Sequence, residues 1–326
     1  MTEEIAHNIY RIGVPLTGNP LKELNSYFIR GKDRDLLIDT GFRNQECFDV
    51  LTGELKKLGS DIARRNVLLT HMHADHSGMA DLVAGEERKI YISEKDRSYM
   101  QNFMRGQMRR WQEDRYTKEG MPHELVLDVF NTNPSRQQAM KSLDSRFTAL
   151  NDGDHIEVGE YRLEAIYTEG HTPGSMIFYI RDKQIMFTGD HVLFDITPNI
   201  TIWPYVDDSL GSYLENLQRV RNFDVKLALP GHRKTGDYRG RIDTLSGHHA
   251  ERLAEALAIV SADPGSCGYD IAGRMKWKIR ADSWETFPKV QKWFALGECL
   301  SHLDHLIRTG EIKKKAENGI WRYYAV

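Results

Sequence analysis

The sequence predicts an α+β protein in which a strand-rich core is interrupted by helices and followed by a small, mostly helical unit. Short apolar runs bounded by turn residues recur over residues 1–93 and 155–232, as expected for strands. Residues 94–150 and the segment after residue 245 instead repeat apolar side chains at helical spacing. The length of 326 residues also exceeds what one modest domain needs.

The composition excludes several classes of protein. Hydrophobic residues make up 40% of the chain and charged residues 28%, which is typical of a folded globular protein. A formal net charge of -3 gives no overall basic field for nucleic acid. The three cysteines are far apart, which argues against a disulfide scaffold or a cysteine–zinc site. The sequence shows no signal-peptide pattern and no apolar run of about 18 residues, so we predict a cytoplasmic protein without a membrane span.

The predicted strands fall into two groups, one on each side of the helical interruption. The runs of the first group are 25–30, 36–39, 66–70 and 89–93. The runs of the second group are 161–168, 175–180, 183–188 and 225–229, with one helix near 212–220. Between the groups, residues 94–150 are predicted to be a helical insertion, because large apolar side chains recur there at helical spacing, namely Met100, Phe103, Met104, Met108 and Trp111.

The tail is predicted to be two or three helices followed by a hairpin. Leu245, Leu253 and Leu257 indicate one amphipathic helix. A second apolar pattern runs from Val290 to Ile307, and Gly297 inside it leaves open whether this is one helix or two. Residues 311–315 and 320–326 flank Asn-Gly, a hairpin turn signal. This order resembles a winged-helix module, so we divide the chain into domains 1–245 and 246–326.

One short segment carries most of the chemical information. Thr70–Gly78 reads THMHADHSG and places His71, His73, Asp75 and His76 directly after a predicted buried strand. Imidazole and carboxylate are good ligands for zinc and similar ions. A tight loop could turn the first two histidines to one side and Asp75 and His76 to the other. The alternative, a histidine-rich surface loop, is disfavoured because this spacing arises by chance in only about two such chains in a thousand.

Three later residues complete a candidate ligand set. His171 lies between two predicted strands, Asp190 ends the apolar run QIMFTGD, and His232 follows VKLALPG. Each stands at the same end of a predicted strand, where the side chains could converge. Taken singly, such residues are more often structural, but their order behind the first motif favours a metal site.

These motifs resemble those of the metallo-β-lactamase superfamily over residues 1 to about 240. The resemblance implies an αββα sandwich of two sheets with helices outside and two metal ions at one edge. It assigns one metal to His71, His73 and His171 and the other to Asp75, His76 and His232, bridged by Asp190. Asp39 matches an early aspartate that lies outside the ligand set, and Glu169 departs from the proline that many members have there.

The resemblance predicts a dinuclear hydrolase that uses a metal-bridging hydroxide. Two divalent ions, zinc or alternatively iron or manganese, would activate water and stabilise the oxyanion. Asp75 and Asp190 are the predicted catalytic residues, since the water would lie beside both. Either Asp75 or a metal-bound water would protonate the leaving group. No serine elbow of the Gly-x-Ser-x-Gly type occurs.

The predicted substrate is a small acyl compound, most readily a thioester, as in glyoxalase II-like enzymes. Diiron oxygen reductases usually carry glutamate where this chain has His73, so this class of superfamily member is disfavoured. Nucleases with a domain inserted before the last histidine do not fit either, because only 41 residues separate Asp190 from His232. The alternative is a lactamase-like endoribonuclease whose tail contacts RNA through Lys313–Lys315 and Arg322. A solvated hairpin face is the favoured explanation of those charges, because short charge runs are common on exposed surfaces.

Two further interpretations concern the extra segments. The insertion at 94–150 would lie over the metals as a lid, or its methionines would simply seal the helices to their own domain. The tail is apolar enough that it must pack on the catalytic domain or in a homodimer, with nucleic acid as the less favoured partner. His191, next to Asp190, either supports the metal site or is simply packed, and His248, His249, His302 and His305 are interpreted as packing or surface residues.

Overall fold

The computed structural model describes residues 2–278 and 281–326. Within these ranges the chain forms a seven-stranded sheet, a five-stranded sheet and a separate hairpin. The first sheet contains β1 Thr2–Ala6, β2 Ile9–Leu16, β3 Lys22–Ile29, β4 Asp35–Ile38, β5 Arg65–Leu68, β6 Ile90–Ser93 and β7 Phe147–Leu150, in that order. The second has the order β12-β11-β10-β9-β8, with β8 His155–Val158, β9 Tyr161–Tyr167, β10 Met176–Ile180, β11 Ile185–Gly189 and β12 Leu227–Pro230.

The two sheets pack face to face, and helices cover their outer faces. Side chains alternate between the faces of a strand, and the sequence of β4 follows this alternation. Leu36 and Ile38 lie in the core between the sheets, whereas Leu37 faces the helices that cover the outer side of the first sheet. In β10, Phe178 enters the core between the sheets and Ile177 faces the helices on the other side. This is the four-layer αββα sandwich that the sequence predicts.

The helices fall into three groups along the chain. Those of the sandwich are α1 Gln45–Lys57, α2 Ala74–Ser77, α3 Ala80–Val83 and α8 Ser209–Arg221, with a short 3-10 helix at Ile62–Arg64. Those of the insertion are α4 Glu94–Met104, α5 Gln107–Lys118, α6 His123–Thr132 and α7 Pro134–Gln137. Those of the tail are α9 Tyr238–Ala262, α10 Gly268–Arg274 and α11 Lys289–Arg308, followed by the hairpin of β13 Ile312–Glu317 and β14 Ile320–Ala325.

The insertion is shorter than the sequence predicts. Helices cover residues 94–137, but residues 147–150 form β7, which pairs in parallel with β6 at the edge of the first sheet. The prediction of a helical segment extending to residue 150 is therefore wrong at its end. The short run FTAL carries no period long enough to distinguish a strand from the end of a helix.

The tail packs against the insertion rather than standing apart. One apolar cluster joins Tyr116 of α5 and Val126 of α6 to Leu296, Leu300 and Leu303 of α11. The apolar face of the tail is therefore covered within the chain. Helix α11 is unbroken at Gly297, and α9 continues through residue 245, so the proposed domain boundary falls inside a continuous helix. No helix in the described ranges is long and apolar enough to cross a membrane.

Candidate metal centre

The seven predicted ligands converge at one edge of the sandwich. β5 ends at Leu68, and the loop that follows carries His71 and His73. Helix α2 begins at Ala74, so Asp75 and His76 lie on its first turn and face a different direction from the loop histidines. His171, Asp190 and His232 follow β9, β11 and β12. Because these three strands run in the same direction, their carboxyl ends meet at the same edge.

The side chains form three overlapping groups that could each hold a metal ion. The potential ligand atoms within each group all lie within 4.8 Å of one another. The groups are His71–His73–His171, Asp75–His76–His232 and His71–His76–Asp190. The first two groups are the two triads that the resemblance assigns to separate metals. The third contains one histidine from each triad, which places Asp190 between them.

The Asp190 carboxylate lies close to histidines of both triads. Its Oδ1 lies 3.5 Å from His76 Nε2. Its Oδ2 lies 3.7 Å from His171 Nε2 and 3.6 Å from His232 Nε2. A side chain at Gly231 would leave no room for this arrangement, since a Cβ there would lie 2.5 Å from Asp190 Oδ1.

Four of the five histidines are oriented by a hydrogen bond at Nδ1. The acceptors are Thr70 Oγ1 for His71, Asp39 Oδ2 for His76, the carbonyl of Asn199 for His171 and the carbonyl of Glu23 for His232, at 2.8–3.0 Å. A carbonyl or carboxylate oxygen only accepts, so the ring nitrogen that faces it carries a proton and Nε2 is the nitrogen left to bind a metal. His73 differs, because its Nδ1 faces the centre, 3.0 Å from His71 Nε2.

Asp39 organises the loop at the end of β5. Its carboxylate accepts hydrogen bonds from the backbone N–H and the hydroxyl of Thr70, at 2.9 and 2.8 Å. The same carboxylate pairs with His76, and the Thr70 hydroxyl then accepts from His71. One buried aspartate thus orients a histidine of each triad.

The donor set fits divalent cations. His171 Nε2 and Asp190 Oδ1 are buried without a hydrogen-bond partner among the described residues, and an unpartnered buried acceptor is costly unless something binds it. Burial lowers the pKa of His73 to about 3, so its lone pair is free. Burial alone would raise the pKa of Asp75, but His76 and His232 lower it to about 2 and keep it ionised. Zinc and similar ions require neutral imidazoles and ionised carboxylates. Burial alone would lower the pKa of His76 and of His232, but nearby carboxylates raise both, so these two rings would release any bound proton when a metal binds.

The site also depends on residues that the sequence analysis did not identify. Asp96 of α4 is fully buried and accepts hydrogen bonds from the loop that carries His71 and His73 and from the loop that follows His171. The carbonyl of Asn199 accepts a hydrogen bond from His171. Trp203 lies beside the loop, with its ring centroid 6.1 Å from that of His73. Of these three residues, only Asp96 lies in a recognisable sequence motif. It is the fourth residue of the helix-capping motif Ser-x-x-Asp that starts at Ser93, and this motif indicates a helix start and not a role at the metal centre.

The remaining histidines lie outside the three groups. His191 is buried against Tyr213, with the ring centroids 5.1 Å apart. His302 bonds the carbonyl of Glu298 and the ring of His249, and His305 pairs with Asp208 at 2.9 Å. Glu169, the departure from the family pattern, pairs with Lys95 at the surface.

Comparison with known families matches both parts of the chain. Residues 22–232 match the family model of the metallo-beta-lactamase superfamily, and residues 286–326 match a metallo-beta-lactamase-like C-terminal domain. A metallo-beta-lactamase family protein from Thermus thermophilus superposes with a TM-score of 0.82 at 25% identity, covering 99% of this chain and all of that one.

Three curated relatives are similar over most of the chain. The lactamase-like protein adaB of Aspergillus niger is 27% identical over 78% of this chain and 65% of its own length. The atrochrysone carboxyl ACP thioesterase nsrC of Aspergillus novofumigatus is 26% identical over 71% of this chain and 55% of its own. The human acyl-coenzyme A thioesterase MBLAC2 is 28% identical over 65% of this chain and 73% of its own. The matched region thus covers less than two thirds of the length of the first two relatives.

Proposed function

This chain belongs to the metallo-β-lactamase superfamily, and we propose that it is a dinuclear metal-dependent hydrolase that cleaves thioesters. One observation carries the proposal: two triads of ligand atoms share the Asp190 carboxylate, which reaches both. A fold alone does not select a chemistry, whereas this set of ligand atoms and the side chains around it favour hydrolysis of an acyl compound.

The proposed ligands are the seven predicted residues, with Asp190 common to both metals, and zinc is the proposed ion. Five imidazoles and two carboxylates suit zinc, and they also suit iron or manganese. When bound, two such cations activate water for attack and stabilise negative charge on the substrate oxygen.

The protein's own residues orient the reacting groups and handle the proton. Asp39, Thr70 and the carbonyls of Glu23 and Asn199 fix four of the five imidazole rings through their Nδ1 atoms. In the proposed reaction, water adds to the acyl carbon, the carbon–sulfur bond breaks, and the products are a carboxylate and a thiol. Asp75, whose side chain is 12% exposed, is the proposed acceptor of the water's proton. A thiolate leaving group has a solution pKa near 8.5 and needs little acid assistance.

An aromatic surface beside the metal centre favours an acyl substrate. Tyr99 and Phe103 of α4 pack edge-on against Trp203, whose ring lies near His73. Trp203 is buried, and the partly exposed rings of Tyr99 and Phe103 form an aromatic wall that would contact a hydrocarbon chain next to the thioester carbonyl. Two of the relatives described above are named as thioesterases, one for an acyl carrier protein and one for coenzyme A, which supports this substrate class.

The test is a substrate screen with zinc-loaded protein. Acyl-coenzyme A thioesters of several chain lengths are compared with lactones, a β-lactam and single-stranded RNA. We expect thioester hydrolysis that exceeds every other activity and is abolished by a chelator. Cleavage of RNA or of the β-lactam at higher kcat/KM than any thioester would overturn the substrate assignment.

A further inference from the structure

The tail of the chain contributes to the metal centre. We propose that Glu298 of α11 is a positioning residue for metal binding: it holds Asn199, whose backbone carbonyl orients His171. The inference rests on the proposed role of His171 as a metal ligand. It assigns the C-terminal unit a part in building the active site, beyond packing.

The connection from α11 to the metal centre consists of two hydrogen bonds. His171 Nδ1 donates to the carbonyl oxygen of Asn199 at 2.9 Å. The side-chain amide of Asn199 donates to Glu298 Oε2 at 3.2 Å. His171 Nε2 then faces Asp190 Oδ2 at 3.7 Å. A shift of the Asn199 carbonyl would rotate the imidazole ring and move its Nε2 out of the triad.

The segment that supplies this carbonyl has no regular structure of its own. Residues 197–203 lie outside the helices and strands, so no ladder of backbone hydrogen bonds fixes them. Helix α11 holds the segment at one further point, where Ser301 Oγ donates to the carbonyl of Ile200 at 2.7 Å. Residues 298 and 301 are three apart and share one face of the helix.

A glycine lets the helix approach this closely. A Cβ at Gly297 would lie 2.3 Å from Thr201 Oγ1 and 2.7 Å from the hydroxyl of Tyr116. The absence of a side chain at residue 297 therefore brings α11 against both the 199–201 segment and the insertion helix α5. This packing explains a glycine in the middle of an otherwise regular helix, where it costs about 1 kcal/mol relative to alanine.

Glu298 also pairs with an arginine on a neighbouring helix. Its Oε1 lies 3.7 Å from Arg252 Nε on α9. Arg252 also donates to the carbonyl of Lys276 at 2.9 Å and lies over the ring of Trp277 at 4.2 Å. The carboxylate therefore has a fixed position from which to hold Asn199.

The experiment compares two variants that remove the hydrogen bond between Asn199 and Glu298 with a control variant that removes a different contact of α11. E298A and N199A each remove the hydrogen bond, and N199A leaves α11 intact in case E298A fails to fold. E298Q keeps an acceptor for Asn199. The control is D304A, since Asp304 is a carboxylate on the same helix that pairs with Arg115 of α5 at 3.1 Å. Zinc release to a chromophoric chelator and the Tm of the metal-free protein are measured for each.

We expect E298A and N199A to accelerate the release of one of the two zinc ions about tenfold or more, as is typical when a partner of a ligand is lost. E298Q should release zinc more slowly than E298A, and D304A should release it at the wild-type rate even if its Tm falls. Wild-type rates in both E298A and N199A, or equal acceleration in D304A, would overturn the inference. Wild-type protein that takes up no zinc would instead overturn the proposed function, and this inference with it.

Discussion

The carboxylate of Asp96 accepts a hydrogen bond from the backbone N–H of Met72 at 2.8 Å, which ties helix α4 to the loop between His71 and His73. The same carboxylate accepts from the hydroxyl of Thr172 at 2.8 Å and from the N–H of Gly174 at 2.7 Å. A single buried group of the insertion therefore holds two ligand loops that are about 100 residues apart in the sequence.

Replacing Asp96 with asparagine should weaken both the fold and the metal centre. The amide NH2 group would face backbone donors, leaving at least one buried donor without an acceptor, which costs about 1–3 kcal/mol. We expect the free energy of unfolding of metal-free D96N to fall by that amount and zinc affinity to fall about tenfold. Denaturant titration and chelator competition measure the two effects. D114N on the exposed face of α5 is the control, and equal behaviour of the two variants would refute this role.

Removing the shared carboxylate should affect metal content more than folding. In D190A the two triads lose the group that connects them, so we expect fewer than two zinc ions per chain and a loss of thioesterase activity of about 10²-fold or more. Elemental analysis after reloading and turnover at matched metal content provide the measurements. D182A, in the exposed turn before β11, should match wild type. Two tightly held zinc ions in D190A would contradict the assignment.

The aromatic wall predicts a dependence on acyl length. F103A removes one ring that contacts Trp203 without touching a predicted ligand. We expect kcat/KM to fall more for long acyl chains than for acetyl thioesters, because a long chain loses about 25 cal/mol for each Å² of apolar contact. F48A, on α1 and packed against the same cluster, controls for loosened packing. A uniform loss across chain lengths in F103A would exclude this surface as the acyl site.

The sequence singled out the proposed ligands because four of them are close together in the chain and the family resemblance links them to the other three. His71, His73, Asp75 and His76 occupy one loop and one helical turn, and the other three each follow a strand. Most of the strands and helices around them were also predictable from period 2 and period 3.6, but β7 was not, because its four residues are too few to show a period. The same reasoning did not decide whether the methionines of the insertion line a substrate lid or only pack its helices onto the domain. Met108 is 2% exposed within the core cluster, and Met104 is 37% exposed.

The supporting residues could not be predicted in the same way. Asp96 contacts Gly174, 78 positions later, and Asn199 contacts Glu298, 99 positions later. No periodic pattern encodes such contacts, because each depends on how the insertion and the tail pack on the sandwich. The shared core of α5, α6 and α11 is likewise a property of the tertiary structure alone.

The hairpin of the tail should not bind RNA with high affinity. Lys314 Nζ lies 3.4 Å from Asp304 and over the ring of Trp321, and Lys315 lies over the ring of Tyr324, so two of its three lysines have partners within the protein. We expect no sub-micromolar binding of single-stranded RNA at physiological salt. Binding that falls steeply with salt and is lost in K313Q/K314Q/K315Q would contradict this and favour the endoribonuclease alternative.

The contact between insertion and tail should make stability depend on pH through Glu119. This buried carboxyl follows α5 and accepts a hydrogen bond from the hydroxyl of Tyr323 on β14 at 2.9 Å. Burial raises its pKa to about 7. Arg115 lies 3.1 Å away but offsets this only in part, because its charge is shared with Asp304.

Because the pKa of Glu119 is higher in the folded state than the value near 4.3 in an unfolded chain, the folded state binds more protons between these two values. Its contribution to stability is therefore complete below about pH 4.3 and is lost as the pH rises to about 7. E119Q stays neutral, so the free energy of unfolding of wild type should fall relative to that of E119Q by about 2 kcal/mol between pH 5 and pH 8. Urea titrations at four pH values measure this difference, with E124Q on the exposed side of α6 as the control. A constant difference between wild type and E119Q across this range would show that Glu119 is already ionised in the folded protein.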